Sequence, residues 1–244
     1  MFPVAKDANE VLVILKDIPK DSIIFIDIDD TIITPVSKAF RKAPYKELID
    51  DIKNNKNQYQ NYEEIVSNWR LQRKIMLMDS NWPNVLIELK NRYKTYGLTK
   101  MDTGKFGNIE SMEKWRYREL NSLGIKFSDE EDGWQSAEVL PNYSQAVFYK
   151  GIFSTGPNSK SQAISYYLKY LKADAFVMID DRKENLEDIK QFCQKKSIKF
   201  VGILFSGMEK FNDTPNEAVF FIQKKYLIEH AKWLEDEEAE KLNL

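Results

Sequence analysis

Apolar residues along the chain come in short unbroken runs separated by longer amphipathic stretches. Ile23, Ile24, Phe25 and Ile26 form one run, and Ala175, Phe176, Val177, Met178 and Ile179 another. Short runs of β-branched and aromatic residues predict strands buried on both faces. Residues 93–98, 125–127 and 200–205 read as further strands. Residues 147–149 and 152–153 read as a hairpin around Lys150-Gly151. Helical spacing marks residues 9–18 through Val11, Leu12, Leu15 and Ile18, and residues 62–78 through Ile65, Trp69, Ile75 and Met76. Residues 109–123, 160–171, 184–195 and 216–242 read as helices, and 128–141 as polar turns. No repeat or low-complexity linker interrupts the order.

Strands alternating with helices predict an α/β fold with a mainly parallel sheet covered on both faces. One segment departs from this rhythm. Residues 36–91 are rich in Lys, Asn, Tyr and Glu, show helical patterns and carry no convincing strand. The expected organisation is therefore a core of residues 1–35 and 92–244 with a small all-α cap of residues 36–91. A cap inserted there is well placed to act as a lid over a site at the strand ends.

At 244 residues, with 43% hydrophobic and 30% charged residues, the chain is long enough for a sizeable core and ordinary for a globular protein. A net charge of −2 with no long basic run argues against nucleic acid as a partner. No stretch has the length of a membrane span or the pattern of a cleaved signal, so the expected compartment is a reducing cytoplasm. Export without a cleaved signal would leave no mark in this pattern. Cys193 and His230 are single, which excludes an internal disulfide and a Cys/His zinc site.

The chemistry lies where two apolar runs end. The first leads into Asp27, Asp29, Asp30 and Thr31, the second into Asp180 and Asp181. An unpaired carboxylate at the tip of a buried strand is costly. In open α/β sheets, ligands gather at the carboxyl ends of the strands. If both strands share one parallel sheet, Asp27, Asp29, Asp180 and Asp181 converge on one hard cation, for which a few carboxylates with open positions favour Mg2+. The plainer alternative is that each acidic pair caps the helix after it.

These residues resemble the motifs of the haloacid dehalogenase (HAD) superfamily. Asp27-Ile28-Asp29-Asp30-Thr31 is similar to its first motif, Asp-x-Asp-x-Thr, and Ile179-Asp180-Asp181 to its fourth. Lys160, heading a helix before the second acidic strand, matches the third. Thr99 matches the second, with Ser154 and Thr155 as competing candidates. The resemblance covers about three quarters of the chain and implies a Rossmann-like three-layer core. It also implies a phosphatase-like branch with a helical cap between the first and second motifs. Asp27 would then be the nucleophile that forms an aspartyl-phosphate, and Asp29 the general acid and base. Asp29 would need an environment favouring its neutral form before transfer. Thr99 and Lys160 would bind the phosphoryl oxygens. Asp27, Asp181 and the main-chain carbonyl of Asp29 would hold Mg2+, with Thr31 and Asp180 in support. This chain carries Lys160-Ser161 where many relatives have Lys-Gly, and Met101 where some have a basic residue. Both departures bear on phosphate orientation and substrate choice.

The expected function is that of a magnesium-dependent phosphohydrolase acting on a phosphomonoester, a small molecule rather than a protein. Arg41, Lys42, Arg70, Arg73 and Lys74 are candidate contacts for an anionic substrate. The rival is a binding or regulatory protein with this fold and little or no turnover. Its surface anchors would be Trp69, Trp82, Trp115, Trp134 and Trp233. The oligomeric state is not encoded in any pattern found.

Overall fold

The computed structural model describes residues 1–41, 45–129 and 146–242. Lys42, Trp134 and residues 130–141 of the stretch read as turns lie outside the described residues. The strands are β1 (Val4–Ala5), β2 (Ser22–Ile26), β3 (Ile33–Pro35), β4 (Ile75–Leu77), β5 (Lys94–Thr99), β6 (Val147–Tyr149), β7 (Ile152–Ser154), β8 (Ala175–Asp180) and β9 (Lys199–Phe205). Among the described residues, seven of them form one sheet in the order β1-β9-β8-β2-β5-β7-β6. All neighbours run parallel except β6, which is antiparallel to β7. Helices flank this sheet, so the protein is a mixed α/β fold with a mostly parallel central sheet.

Every residue of β2 and of β8 is buried, as expected where both faces of a parallel sheet are covered. Phe25 sits at the centre of one face, its ring 5.4 Å from that of Phe176 and 5.9 Å from that of Phe153. Helices Lys160–Tyr167 and Lys183–Lys195 add Ile164, Tyr167, Leu186, Ile189 and Cys193 to the same cluster. Each large apolar side chain buried there contributes about 1.5–3 kcal/mol. Burial pushes the Cys193 thiol up to about 12, so it is inert at neutral pH. The β6–β7 turn places Lys150 and Gly151 both at positive φ, 48° and 81°. That is the geometry of a two-residue type I′ hairpin.

Register decides what the strand ends share. Ile26 of β2 lies opposite Gly97 of β5 and Ile179 of β8. Asp27, the end of β5 and Asp180 therefore reach one edge of the sheet at the same level.

The described residues divide into two compact units. The first comprises residues 1–33, 77–104 and 112–209, and the second 34–76, 105–111 and 210–244. These bounds differ from the expected cap of residues 36–91. Helix Trp82–Arg92 belongs to the first unit, where Trp82, Val85, Leu86 and Leu89 are buried and the Trp82 ring lies 5.5 Å from that of Phe205. The chain end joins the second unit because Gln223 and Asp236 bond there to Ser37. That unit contains helices Leu48–Asn54, Tyr62–Gln72, Glu217–His230 and Asp236–Leu242. It also contains Gly107, whose φ of 52° and contact with Glu63 and Ser67 leave no room for a Cβ.

Local readings need correction in three places. The helix expected over 62–78 stops at Gln72, because Arg73 turns extended and β4 follows. Strands β3 and β4 pair with each other, at three residues each too short to show alternation. Residues 125–127 are not a strand. The chain returns to β5 through Ser128, whose hydroxyl accepts from Thr95 N at 3.0 Å, so a side chain stands in for one rung of the ladder. The helix expected over 216–242 is two helices, broken at Ala231 by a left-handed φ of 52°. Among the described residues no helix is long and apolar enough to cross a membrane.

Candidate active site at the carboxyl edge of the sheet

Asp27 leaves β2 with its N–H still in the ladder, donating to Ile179 O at 2.8 Å. The chain then coils tightly. Ile32 N and Ile33 N both donate to Ile28 O, at 2.9 and 3.0 Å, and Asp30 N donates to Ile33 O at 2.7 Å. Asp30 adopts φ 63°, a left-handed conformation that Asp tolerates better than most residues. Trp82 Nε1 donates to Thr31 O at 2.9 Å and ties the loop to the buried first residue of helix Trp82–Arg92. Thr31 donates its hydroxyl to Asp27 Oδ2 at 3.2 Å.

Lys160 is the first residue of its helix, which Ser159 and Gln162 close with a reciprocal capping box. The Asp188 carboxylate accepts from Ser161 N and Oγ at 2.9 and 2.7 Å, which pins the same turn. Lys160 itself is 1% exposed. Its Nζ donates to Asp27 Oδ1 and, at 2.6 Å, to Asp180 Oδ2. Asp180 Oδ1 accepts from Arg182 N and Asn185 Nδ2, both at 2.9 Å. Asp180 thus does cap the turn after β8, while its second oxygen serves the lysine.

Carboxylate oxygens of Asp27, Asp180 and Asp181 lie within 4.8 Å of one another, a set able to hold a metal ion. Lys160 bonds to two of these three acids, Asp27 and Asp180. Burial pushes the Asp27 carboxyl well above its usual range; Lys160 pulls it down, and Asp180 and Asp181 push it further up. Burial also works against the Lys160 ammonium, but Asp180 and Asp27 outweigh it and keep the lysine charged. A divalent cation among the three carboxylates would favour the ionised form of Asp27, so the donor set fits one.

Asp29 points elsewhere. Both its oxygens accept from Arg116 Nη2, at 3.0 and 2.8 Å, and Thr99 Oγ1 approaches Oδ2 at 3.4 Å. Its side chain is therefore outside the carboxylate triad, so of the four acids expected to converge on one cation the structure gathers Asp27, Asp180 and Asp181 but not Asp29. Asp29 was also expected in a setting that favours its neutral form; the structure places the Arg116 guanidinium beside it. Arg116 is 3% exposed and donates through Nη1 to Glu119 Oε2 at 2.7 Å. This arginine escaped the sequence reading. It sits in helix Met112–Ser122 among Lys114, Arg118 and other charges, and no spacing separates a buried arginine from its exposed neighbours.

Thr99 and Ser154 end adjacent parallel strands in register, and Thr155 N donates to Thr99 O at 3.0 Å. All three candidates for the second motif therefore lie at one edge. Thr99 is the one whose hydroxyl reaches the Asp27–Thr31 loop, whereas the Thr155 hydroxyl donates to Gly156 O. Three of the cations expected to read the substrate, Arg41, Arg70 and Arg73, are engaged within their own unit. Arg41 lies 4.3 Å over Phe211, Arg70 4.8 Å over Phe106 and Arg73 4.5 Å over Trp69. Trp69, Trp82 and Trp233 are buried and Trp115 is partly so. The first three are core residues rather than surface anchors.

Fold and site together define an α/β protein with a carboxylate–lysine cluster at the carboxyl edge of a parallel sheet. The chain belongs to the family described as protein of unknown function (DUF2608), whose model matches residues 5–240. It is also similar to "Uncharacterized protein RP296" of Rickettsia prowazekii (strain Madrid E). The two are 27% identical over 246 residues, covering 97% of this chain and 88% of the relative.

Proposed function

We propose that this protein is a magnesium-dependent phosphohydrolase of the HAD type, acting on a phosphomonoester through an aspartyl-phosphate. One observation carries the reading: Lys160 Nζ binds Asp27 and Asp180 at the level where β2 and β8 end together, beside Asp181. A structural ion pair would not need a third carboxylate there, and a capping role accounts for only one oxygen of Asp180.

In this reading a carboxylate oxygen of Asp27 attacks phosphorus, and the bond from phosphorus to the leaving oxygen breaks. Asp29 gives that oxygen a proton. Water then attacks the phosphoryl group, its proton passes to Asp29, and the Asp27–phosphorus bond breaks to release inorganic phosphate. Lys160 and Thr99 take up charge on the phosphoryl oxygens. Asp27, Asp180 and Asp181 would hold the Mg2+, which supplies charge neutralisation between anionic nucleophile and anionic substrate. In the structure Asp29 is held by Arg116; for the first half-reaction it must exchange that contact for a proton.

Arg116 is then a positioning residue for Asp29. Arg116→Met should lower kcat for an aryl phosphate by about 10–100-fold with a smaller change in KM, because it acts on proton transfer rather than on binding. Arg116→Lys should recover part of the loss, since a point charge keeps the attraction without the planar fork. A change confined to KM would remove Arg116 from this role.

The direct test of the function is hydrolysis of a generic aryl phosphate with Mg2+ and with chelator. Turnover that requires Mg2+ is expected. A folded protein that binds Mg2+ yet turns over no member of a broad phosphate panel would be a binding protein instead.

A further inference from the structure

The opposite edge of the sheet carries a second feature. A cavity of about 460 Å³ opens beside Ser22 and Lys94, the first residues of β2 and β5. Along a strand of this length it lies on the order of 17 Å from the Asp27 cluster. Among the described residues, five cations line it, Lys20, Lys90, Arg92, Lys94 and Lys172, against one carboxylate, Asp21. They come from separate parts of the chain that only the fold brings together.

Helix polarity explains some of this charge. Lys90 and Arg92 occupy the last turn of helix Trp82–Arg92, where positive charge is favourable. Lys20, Lys94 and Lys172 do not belong to that helix. Burial, and then Lys126, make it harder for Lys90 to stay protonated. Lys126 is not in the lining, so what marks the cavity is the excess of cations that the fold gathers around it. A concave surface lined by one sign of charge concentrates ligands of the other sign.

We propose that this cavity binds a soluble small molecule carrying two or more phosphate groups, at a site separate from the aspartate cluster. Its volume falls in the range of small-molecule sites. The apolar residues in its lining, Ile23 and Tyr93, are themselves buried, at 2% and 7% exposure, so it offers no apolar anchor of the kind a membrane surface requires. The inference stands apart from the phosphohydrolase reading and survives its failure.

The test is calorimetric titration of the full chain with inorganic tripolyphosphate in chelator, so that no divalent cation recruits the anion to the carboxylates. One anion per chain should bind, with affinity falling as salt rises. Lys20→Gln/Lys94→Gln/Lys172→Gln should weaken binding by about tenfold or more, these being mainly exposed side chains whose loss leaves the fold intact. Circular dichroism checks the fold, and the milder pair Lys20→Gln/Lys172→Gln serves if the triple variant is compromised. Lys195→Gln/Lys196→Gln, two exposed lysines elsewhere, and Asp27→Asn should bind as wild type does. Equal weakening by both lysine sets would mean diffuse surface charge and overturn the proposal. So would loss of binding in Asp27→Asn, absence of any binding, or binding to phosphatidylserine vesicles but not to soluble tripolyphosphate.

Discussion

Asp27→Asn should abolish magnesium-dependent hydrolysis, with a fall of at least about 10³-fold, while leaving the folded protein as stable as wild type or more so. The two halves of this expectation have one cause. Asp27 is 6% exposed, and burial together with Asp180 and Asp181 disfavours its charge more than Lys160 favours it. Asn keeps the shape and an oxygen for Lys160 but carries no charge to desolvate. The sign in pH follows. A carboxyl whose folded value is raised binds its proton more tightly in the native state. Metal-free wild type should therefore lose stability as pH rises from the usual carboxylate value of 3.8 through the raised value. Asp27→Asn lacks that loss, so its advantage should grow with pH across the window and shrink when Mg2+ is added to wild type. Turnover and thermal melting at several pH values measure both. Activity that persists in Asp27→Asn would place the nucleophile elsewhere.

Lys160→Met should be the most destabilising single change in the site. Lys160 is fully enclosed, and its removal leaves Asp27 and Asp180 facing each other in a dry environment. Breaking a buried ion pair from one side costs about 3–5 kcal/mol. For a chain of this size that is a fall in melting temperature on the order of 10 °C. The lysine's folded value is raised above 10.5, so its contribution is complete below that pH and is lost only as pH rises through the raised value. The gap between wild type and Lys160→Met should therefore be complete between the raised value of Asp27 and the raised value of Lys160. It should narrow as pH falls through the raised Asp27 value, where Asp27 takes up a proton and no longer needs the lysine. Mg2+ should restore part of the lost stability, because it can neutralise the same carboxylates. A variant that melts with wild type would show that the contacts of Lys160 with Asp27 and Asp180 do not persist in solution.

The contrast between Lys160 and Arg116 shows how far a linear reading reaches. Both are buried cations that bind the Asp27–Thr31 loop. Lys160 heads a helix just upstream of an acidic-tipped strand, so its order along the chain drew attention to it. Arg116 lies in a helix whose exposed face is equally charged, and its partner is 87 residues away. Contacts of that kind leave no local periodicity. The same reason explains why the two compact units do not follow the bounds expected for the insertion. Helix Trp82–Arg92 has the apolar stripe of any amphipathic helix, and nothing in the stripe says which unit it covers.

The sequence by itself determined the central strands β2 and β8, though not the short strands β1, β3 and β4. Runs such as residues 23–26 and 175–179 are too apolar and too β-branched to lie anywhere but inside a parallel sheet, and alternation with helices settles the class. It also put carboxylates at the two strand tips, since chain continuity alone makes Asp27 follow Ile26 and Asp180 follow Ile179. Only the tertiary structure decided that the strands are neighbours in register. That register sets Asp180 rather than Asp29 beside Asp27, turns Asp29 to Arg116, and gathers Lys20, Lys94 and Lys172 around one cavity. Side-chain pairing across a sheet depends on strand order, and strand order is set by the burial of whole faces rather than by any local run of residues.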